Sequence, residues 1–132
     1  MNIALLAHER KKELLVNFCI AYKTILQNHN LFATGNVGQA IMEATGLHIN
    51  LVAAGTIDGE QQIAARVAYN EMDLVIWFRD ALAIHDNDTR EGSLIRLCDI
   101  HSIPYATNIA TAELLIKGVE RGDLAWREII EK

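Results

Sequence analysis

The sequence predicts a three-layer α/β domain in which helices cover both faces of a central, mostly parallel five-stranded sheet. Short apolar runs alternate with longer segments of helical period, and this alternation is typical of such a layered fold. Strand candidates such as "LVIWF" are apolar at every position, which favours a sheet buried on both faces. No linker or low-complexity segment interrupts the 132 residues, so we expect a single domain over residues 1–132.

The individual elements follow from this alternation. The predicted strands are Ile3–Ala7, Leu31–Ala33, Ile49–Ala53, Leu74–Phe78 and Pro104–Ala106. A long first helix is predicted over Arg10–Gln27, because its apolar residues recur on one face. The later predicted helices are Val37–Thr45, Glu60–Asn70, Glu91–His101, Ala110–Lys117 and Leu124–Glu131.

Composition excludes several classes of partner. The formal net charge is -5, without a stripe of Lys and Arg, which argues against nucleic acid as the main partner. No apolar stretch approaches the roughly 20 residues of a membrane-spanning helix, and no basic leader is evident, so we expect a soluble protein without a membrane partner. Cys19 and Cys98 lie in apolar-periodic segments and are predicted to be reduced core residues. A reducing cytoplasm is the expected location.

A polar segment follows each predicted strand. In chain order these segments are "HER", "TGNVG", "AGTIDGE", "RDALAIHDND" and "TNIAT". Loops that follow the strands of an open parallel sheet gather at one edge, where ligands bind beyond the carboxyl ends of the strands. The sequence therefore predicts one pocket at this edge.

Two of these segments are candidate anion sites. In "ATGNVG", the hydroxyl of Thr34 and the backbone N–H groups after it precede a predicted helix, an arrangement that suits phosphate. Alternatively, Asn36 only caps that helix. In "AHERKK", His8 and Lys12 could reach a phosphate while Glu9 starts a helix, or the segment is simply a solvated helix N-terminus.

Two further segments carry acids. "AGTIDGE" places Asp58 and Glu60 in a glycine-containing turn that otherwise resembles an anion loop. In "IHDND", a metal site is the weaker interpretation, because a second histidine at i+4 and a cysteine partner are both missing. A neutral histidine that polarises a carbonyl uses the same residues. Alternatively, Asp86 and Asp88 form a turn and cap the next helix. We assign no site role to the remaining histidines, His29, His48 and His101.

Taken in order, "IALLAHERKK", "ATGNVG", "ATGLHINLVAAG", "DGEQQIAARV", "DLVIWFRD", "HDND" and "IPYATNIATAELLI" resemble methylglyoxal synthase over nearly the whole chain. The resemblance implies the methylglyoxal synthase-like fold and a lyase that needs no cofactor and no metal. In that reaction a carboxylate takes a proton from dihydroxyacetone phosphate, the ene-diolate expels inorganic phosphate, and the enol becomes methylglyoxal. The resemblance also implies a homo-oligomer, a hexamer in the family.

Site residues are carried over from the resemblance by position. It implies Glu60 as the general base and His85 as the group that contacts the carbonyl, with Asp88 and Glu9 as supporting acids. Contacts to the substrate and its phosphate fall on His8, Lys12, Thr34, Gly35, Asn36, Val37, Ala54 and Gly55.

Several of these positions depart from the family pattern. The base is normally aspartate, and the longer Glu60 could misplace the proton acceptor by about 1 Å, which costs roughly 100-fold in rate. The usual "TGTT" is "TGNV", and alanine replaces the serine before Gly55. Two lost charge-assisted hydrogen bonds, at about 1.5–3 kcal/mol each, would weaken phosphate binding by 100-fold or more. The C-terminal tail has no convincing match to the family's tyrosine-containing basic tail, so Arg121 and Arg127 are not assigned to it.

Three functions therefore stay open from the sequence alone. The first is methylglyoxal synthesis with a resized site. The second is a regulatory module that holds phosphate or a phosphometabolite without turnover, and the third is a related lyase or isomerase for a larger phosphorylated carbonyl compound.

Overall fold

A computed structural model describes residues 1–52, 57–82 and 88–129, with side chains described for all of these except 57–61 and 88–93. The strands are β1 Asn2–Ala7, β2 Asn30–Thr34, β3 Ile49–Val52, β4 Leu74–Phe78 and β5 Tyr105–Ala106. After a 3-10 turn at Glu9–Lys11, the helices are α1 Lys12–Ala21, α2 Lys23–Leu26, α3 Gly35–Thr45, α4 Ile57–Ala68, α5 Asp88–Ile100, α6 Ile109–Arg121 and α7 Trp126–Ile129.

The strands form one five-stranded sheet in the order β3-β2-β1-β4-β5, and every pairing is parallel. One core packs α1, α3 and α6 on one face of this sheet, and a second core packs α4 and α5 on the other face. The predicted three-layer α/β fold is therefore confirmed.

The strands β1 and β4 supply both cores because successive side chains point to opposite faces. In β4, Leu74, Ile76 and Phe78 belong to the first core, whereas Val75 and Trp77 belong to the second. All five residues of β4 are buried. This explains why "LVIWF" is apolar throughout rather than alternating.

The first helix was predicted as one continuous element, and this is wrong. The backbone at Tyr22 leaves the helical region, with φ -110° and ψ 22°, and separates α1 from α2. Its ring packs against Phe18, with ring centroids 4.9 Å apart, and its hydroxyl donates a hydrogen bond of 2.8 Å to Glu113 of α6. The apolar spacing continues through this break, so periodicity alone does not reveal it.

Helix starts were predicted too late in three places. The helices α3, α4 and α5 begin at Gly35, Ile57 and Asp88 rather than at Val37, Glu60 and Glu91. In each case the first turn carries glycine or acidic residues, which sequence reasoning assigned to the preceding loop. The predicted site residues Gly35, Asn36, Glu60 and Asp88 consequently lie within first helical turns.

Helix α6 is longer than predicted and has a clear boundary at each end. Asn108 precedes it, and its Oδ1 accepts a hydrogen bond of 3.0 Å from the backbone N–H of Thr111. Gly122 follows it with φ 81°, a left-handed conformation that glycine adopts without strain. Helix α7 ends at Ile129, and the remainder of the predicted last helix lies outside the described residues.

Arg127 of α7 contacts the loops that precede β4 and β5, at the amino-terminal edge of the sheet. Its side chain is 1% exposed, and its Nε lies 3.4 Å from Oδ1 of the equally buried Asp73, which precedes β4. The guanidinium also donates to the carbonyl of Ser102 at 2.7 Å and to Oδ1 of Asn70 at 3.1 Å. The other carboxylate oxygen of Asp73 accepts the backbone N–H of Asn2 at 2.8 Å. Arg127 is therefore a structural residue of the core.

Both cysteines are buried and free of disulfide bonds, as predicted. Cys19 belongs to the core on one face of the sheet and Cys98 to the core on the other. Burial raises the pKa of each thiol to about 12, so very little reactive thiolate exists near neutral pH.

We expect Arg127→Met to lower the free energy of unfolding by about 3–5 kcal/mol, because it leaves the buried Asp73 carboxylate without its cation. Arg121→Met is the matched control, since Arg121 forms an exposed ion pair with Asp123 and such pairs contribute about 1 kcal/mol or less. Denaturant unfolding measures both variants. Equal losses in the two would contradict the structural role of Arg127.

We expect a thiol-specific reagent to modify the folded protein only slowly at neutral pH, because both thiols are buried and protonated. The same reagent should titrate two thiols per chain after unfolding in denaturant. Rapid modification of the native protein at both positions would show that the cores are open to solvent.

Candidate active site

The strand order places a crevice between β1 and β4. From β1 the chain first adds β2 and β3 on one side of the sheet, and then crosses to add β4 and β5 on the other. A ligand site is expected beyond the carboxyl ends of the strands at the point where the winding reverses. Here that point lies where His8 follows β1 and Asp80 closely follows β4.

His8 is held against the end of β4 by two hydrogen bonds. Its backbone N–H donates to the carbonyl of Phe78 at 3.0 Å, and its ring Nδ1 accepts the backbone N–H of Asp80 at 2.8 Å. Its ring also packs against Trp77 in a T-shaped arrangement, with centroids 5.9 Å apart and planes at 74°. The half-buried imidazole therefore lies in the crevice.

The residues after His8 form a short 3-10 turn that leads into α1. Glu9 begins this turn and is exposed, and the N–H of Lys11 donates to the carbonyl of His8 at 2.8 Å. Lys12 is the first residue of α1 and is half-buried. Its position brings an ammonium group to the same edge of the sheet as His8.

The segment "TGNV" forms the end of β2 and the first turn of α3. Thr34 is the N-cap residue, with extended φ and ψ of -69° and 156°, and its side chain makes no capping hydrogen bond. Gly35 and Val37 are buried in the first turn, whereas Asn36 is exposed. The alternative in which Asn36 caps the helix is wrong, because Asn36 lies inside it. The first N–H groups of an α-helix have no partner within the helix, which suits them to an anion.

Asp80 is a residue that sequence reasoning missed. It is 6% exposed, its Oδ1 accepts the N–H of Leu82 at 3.3 Å, and its Oδ2 lies 3.7 Å from Nη1 of Arg10. A buried carboxylate at the end of a central strand is a strong signal for a site, because burial of a charge is costly unless it is paired. In the sequence, Asp80 is only one polar residue of a polar segment, and nothing there reveals that its side chain is buried.

The other predicted site residues are described in part or lie outside the described residues. The backbones of Glu60 in α4 and Asp88 in α5 are described, and each lies in the first turn of its helix. These helices follow β3 and β4, so both first turns lie at the carboxyl edge of the sheet, where helix dipoles favour carboxylates. His85, Ala54 and Gly55 lie outside the described residues.

The residues given no site role lie elsewhere. His29 and His48 directly precede β2 and β3 at the opposite edge, where they line a cavity of about 450 Å³ with Lys23. A smaller cavity of about 110 Å³ lies at the carboxyl edge between the ends of β4 and β5, lined in part by Lys11, Arg79 and Thr107.

Two features are missing from the described part of the chain. It contains no group of three or more His, Cys, Asp or Glu residues placed to hold a metal ion. Among these residues there is also no helix with both the length and the apolar character that crossing a membrane requires.

The geometry is that of an open parallel α/β domain with helix starts at the carboxyl edge of its sheet, and comparison with known proteins gives its class. Residues 14–107 match the family of MGS-like domains. Because this match covers more than half of the chain, the class of the domain is established.

Curated relatives narrow the class. The chain is 56% identical over 130 residues to a methylglyoxal synthase of Caldicellulosiruptor saccharolyticus, covering 98% of this chain and 92% of the relative. It is 55% identical over 132 residues to that of Thermoanaerobacter sp., covering all of both chains. A crystal structure of methylglyoxal synthase from Elizabethkingia anophelis aligns with a TM-score of 0.76 at 33% identity, covering 87% of this chain and 76% of that one. The chain belongs to the methylglyoxal synthase family and is a lyase.

Proposed function

We propose that this lyase converts dihydroxyacetone phosphate into methylglyoxal and inorganic phosphate. The observation that carries the proposal is that His8, Lys12 and the first turn of α3 all follow the carboxyl ends of the neighbouring strands β1 and β2. An imidazole, an ammonium and helix N–H groups are donors that suit a phosphate dianion. Near-complete alignment with curated methylglyoxal synthases supports the same substrate.

The reaction requires a base, an electrophile and phosphate donors. In our proposal, Glu60 removes a proton from the hydroxymethyl carbon, and the C–H electron pair forms the ene-diolate. His85 donates a hydrogen bond to the oxygen on which negative charge develops. The ene-diolate then breaks the bond between carbon and the phosphate oxygen, and the released enol takes up a proton on carbon to give methylglyoxal. Asp88 and Glu9 are the proposed supporting acids.

The phosphate is proposed to contact His8, Lys12 and the segment from Thr34 to Val37, with Ala54 and Gly55 as further proposed contacts. Lys12 supplies a full charge, and the N–H groups of the first turn of α3 supply fixed dipoles. Backbone donors do not depend on side-chain identity. This is why "TGNV" in place of "TGTT" is compatible with phosphate binding, although with fewer hydroxyl groups.

The proposed setting is the cytoplasm, and residues 1–132 are proposed to act as one domain. We also propose self-association, with six copies by family resemblance. Large apolar side chains at the surface support an assembly, including Tyr69 at 76% exposed, Leu114 at 74% and Ile129 at 84%. Nucleic acid and membranes are not among the proposed partners.

We expect Glu60→Gln to lower kcat by about 100-fold to 10,000-fold, because the amide cannot accept the proton. Purified protein is incubated with dihydroxyacetone phosphate while methylglyoxal and free phosphate are followed. Glu71→Gln is the matched control, since it makes the same charge change at an exposed carboxylate beyond α4. Equal release by wild type and Glu60→Gln would reject the proposed base, and phosphate binding without turnover would favour a regulatory module.

Glu60→Asp tests, in the same assay, whether the site requires the longer side chain. If the site is resized around the longer side chain, shortening it should also lower kcat, by about 100-fold, because a displacement of about 1 Å is costly for proton transfer. An increase in kcat would instead show that the site still fits the aspartate usual in the family.

We expect Lys12→Gln to weaken inorganic phosphate binding by about tenfold or more, because a charge-assisted contact contributes about 1.5–3 kcal/mol. The measurement is the rise in melting temperature with phosphate concentration, which follows the affinity. Lys11→Gln is the matched control, since Lys11 is its half-buried neighbour and lines the smaller cavity. Equal effects of the two substitutions would argue for general electrostatic attraction.

A further inference from the structure

We infer that the main-chain N–H of Asp80 fixes the neutral His8 imidazole in the tautomer that carries its proton on Nε2. This makes Nε2–H the group that His8 presents to the substrate, and it makes Asp80 a positioning residue through its backbone. The part of the inference that concerns the phosphate rests on the proposed function. The tautomer itself does not.

The tautomer follows from the chemistry of one hydrogen bond. A backbone amide nitrogen can only donate, and the Asp80 nitrogen lies 2.8 Å from Nδ1 of His8. Nδ1 must therefore present its lone pair. A neutral imidazole carries a single N–H, so the proton is on Nε2.

The geometry that enforces this contact is built into the central strands. Ala7 of β1 is paired with Phe78 of β4, and the next residue, His8, donates its own N–H to the carbonyl of Phe78. The chain after Phe78 then turns so that the Asp80 amide faces the ring. Contacts of the Asp80 carboxylate with the N–H of Leu82 and with Arg10 hold that turn. The ring of Trp77 also packs against the imidazole in a T-shaped arrangement, with centroids 5.9 Å apart.

The tautomer separates the roles of the ionisable groups. With its lone pair engaged at Nδ1 and its proton on Nε2, neutral His8 can donate a hydrogen bond but cannot act as a general base. Proton abstraction is then left to a carboxylate. His8 is suited to an oxygen acceptor, either of the bound phosphate or of the phosphate that leaves.

Nuclear magnetic resonance tests the tautomer without any substrate. Imidazole nitrogens are labelled with ¹⁵N, and two-bond correlations are recorded at about pH 8, where an ordinary imidazole is neutral. The spectrum of His8→Gln identifies the His8 signals among the five histidines. We expect an unprotonated Nδ1 and a protonated Nε2. A protonated Nδ1, or rapid exchange between the two tautomers, would overturn the inference.

Two variants then test the direction of donation. The amide of His8→Gln can replace the Nε2–H donor, whereas the oxygen of His8→Asn can replace Nδ1 as the acceptor for the Asp80 N–H. We expect His8→Asn to be the more stable of the two and to bind inorganic phosphate about 10-fold to 100-fold more weakly than His8→Gln. The reverse order of phosphate affinities would overturn the assigned donor.

The outcomes distinguish this inference from the proposed function. An Nε2–H tautomer without any turnover of dihydroxyacetone phosphate would reject the proposed reaction and leave the role of the Asp80 amide intact. Turnover by a protein whose His8 carries the proton on Nδ1 would support the proposed reaction and reject the role of the Asp80 amide.

Discussion

The parallel pairing of β1 with β4 is the constraint on which the rest of the structure depends. It is the point where the chain reverses its direction of winding, so β1 and β4 meet although more than sixty residues separate them in sequence. Both strands contribute side chains to the cores on the two faces of the sheet. A shift of one residue in this register would exchange the side chains of β4 between the two cores.

Polar contacts hold this pair of strands at both ends. At the amino-terminal edge, Asp73 joins the backbone of Asn2 to the guanidinium of Arg127. At the carboxyl edge, His8 joins Phe78 and Asp80 through its backbone and its ring. The first arrangement is buried and serves stability, whereas the second lies at the edge where the site is proposed. At the amino-terminal edge, the Asp73 carboxylate can be buried because its cation comes from a distant part of the chain.

Prediction from the sequence was most successful where one local signal decides the structure. All five strands were identified because short apolar runs have few other interpretations in a domain of this size. Helix starts at Gly35, Ile57 and Asp88 were placed too late, because glycine and acidic residues occur both in loops and in first turns. The proposed position of the site at the carboxyl edge follows from topology. Its residues, however, were assigned by resemblance, and those assignments remain proposals.

Long-range contacts could not be predicted from the sequence. Arg127 has the sequence context of a solvated residue on a short amphipathic helix, and only the tertiary structure places it in the core. The contact between His8 and Asp80 is equally hidden, because its donor is a backbone amide and carries no side-chain signature. Asp80 itself was passed over because its burial depends on the turn after β4.

The Arg127 contacts have a consequence for the order in which the chain matures on the ribosome. Every strand is synthesised before Arg127 emerges, yet Asp73, the side chain of Asn70 and the carbonyl of Ser102 acquire their shared partner only then. A sheet that forms before that moment would hold the Asp73 carboxylate without its guanidinium partner. Completion of this part of the core is therefore delayed to the synthesis of the last helix that the structure describes.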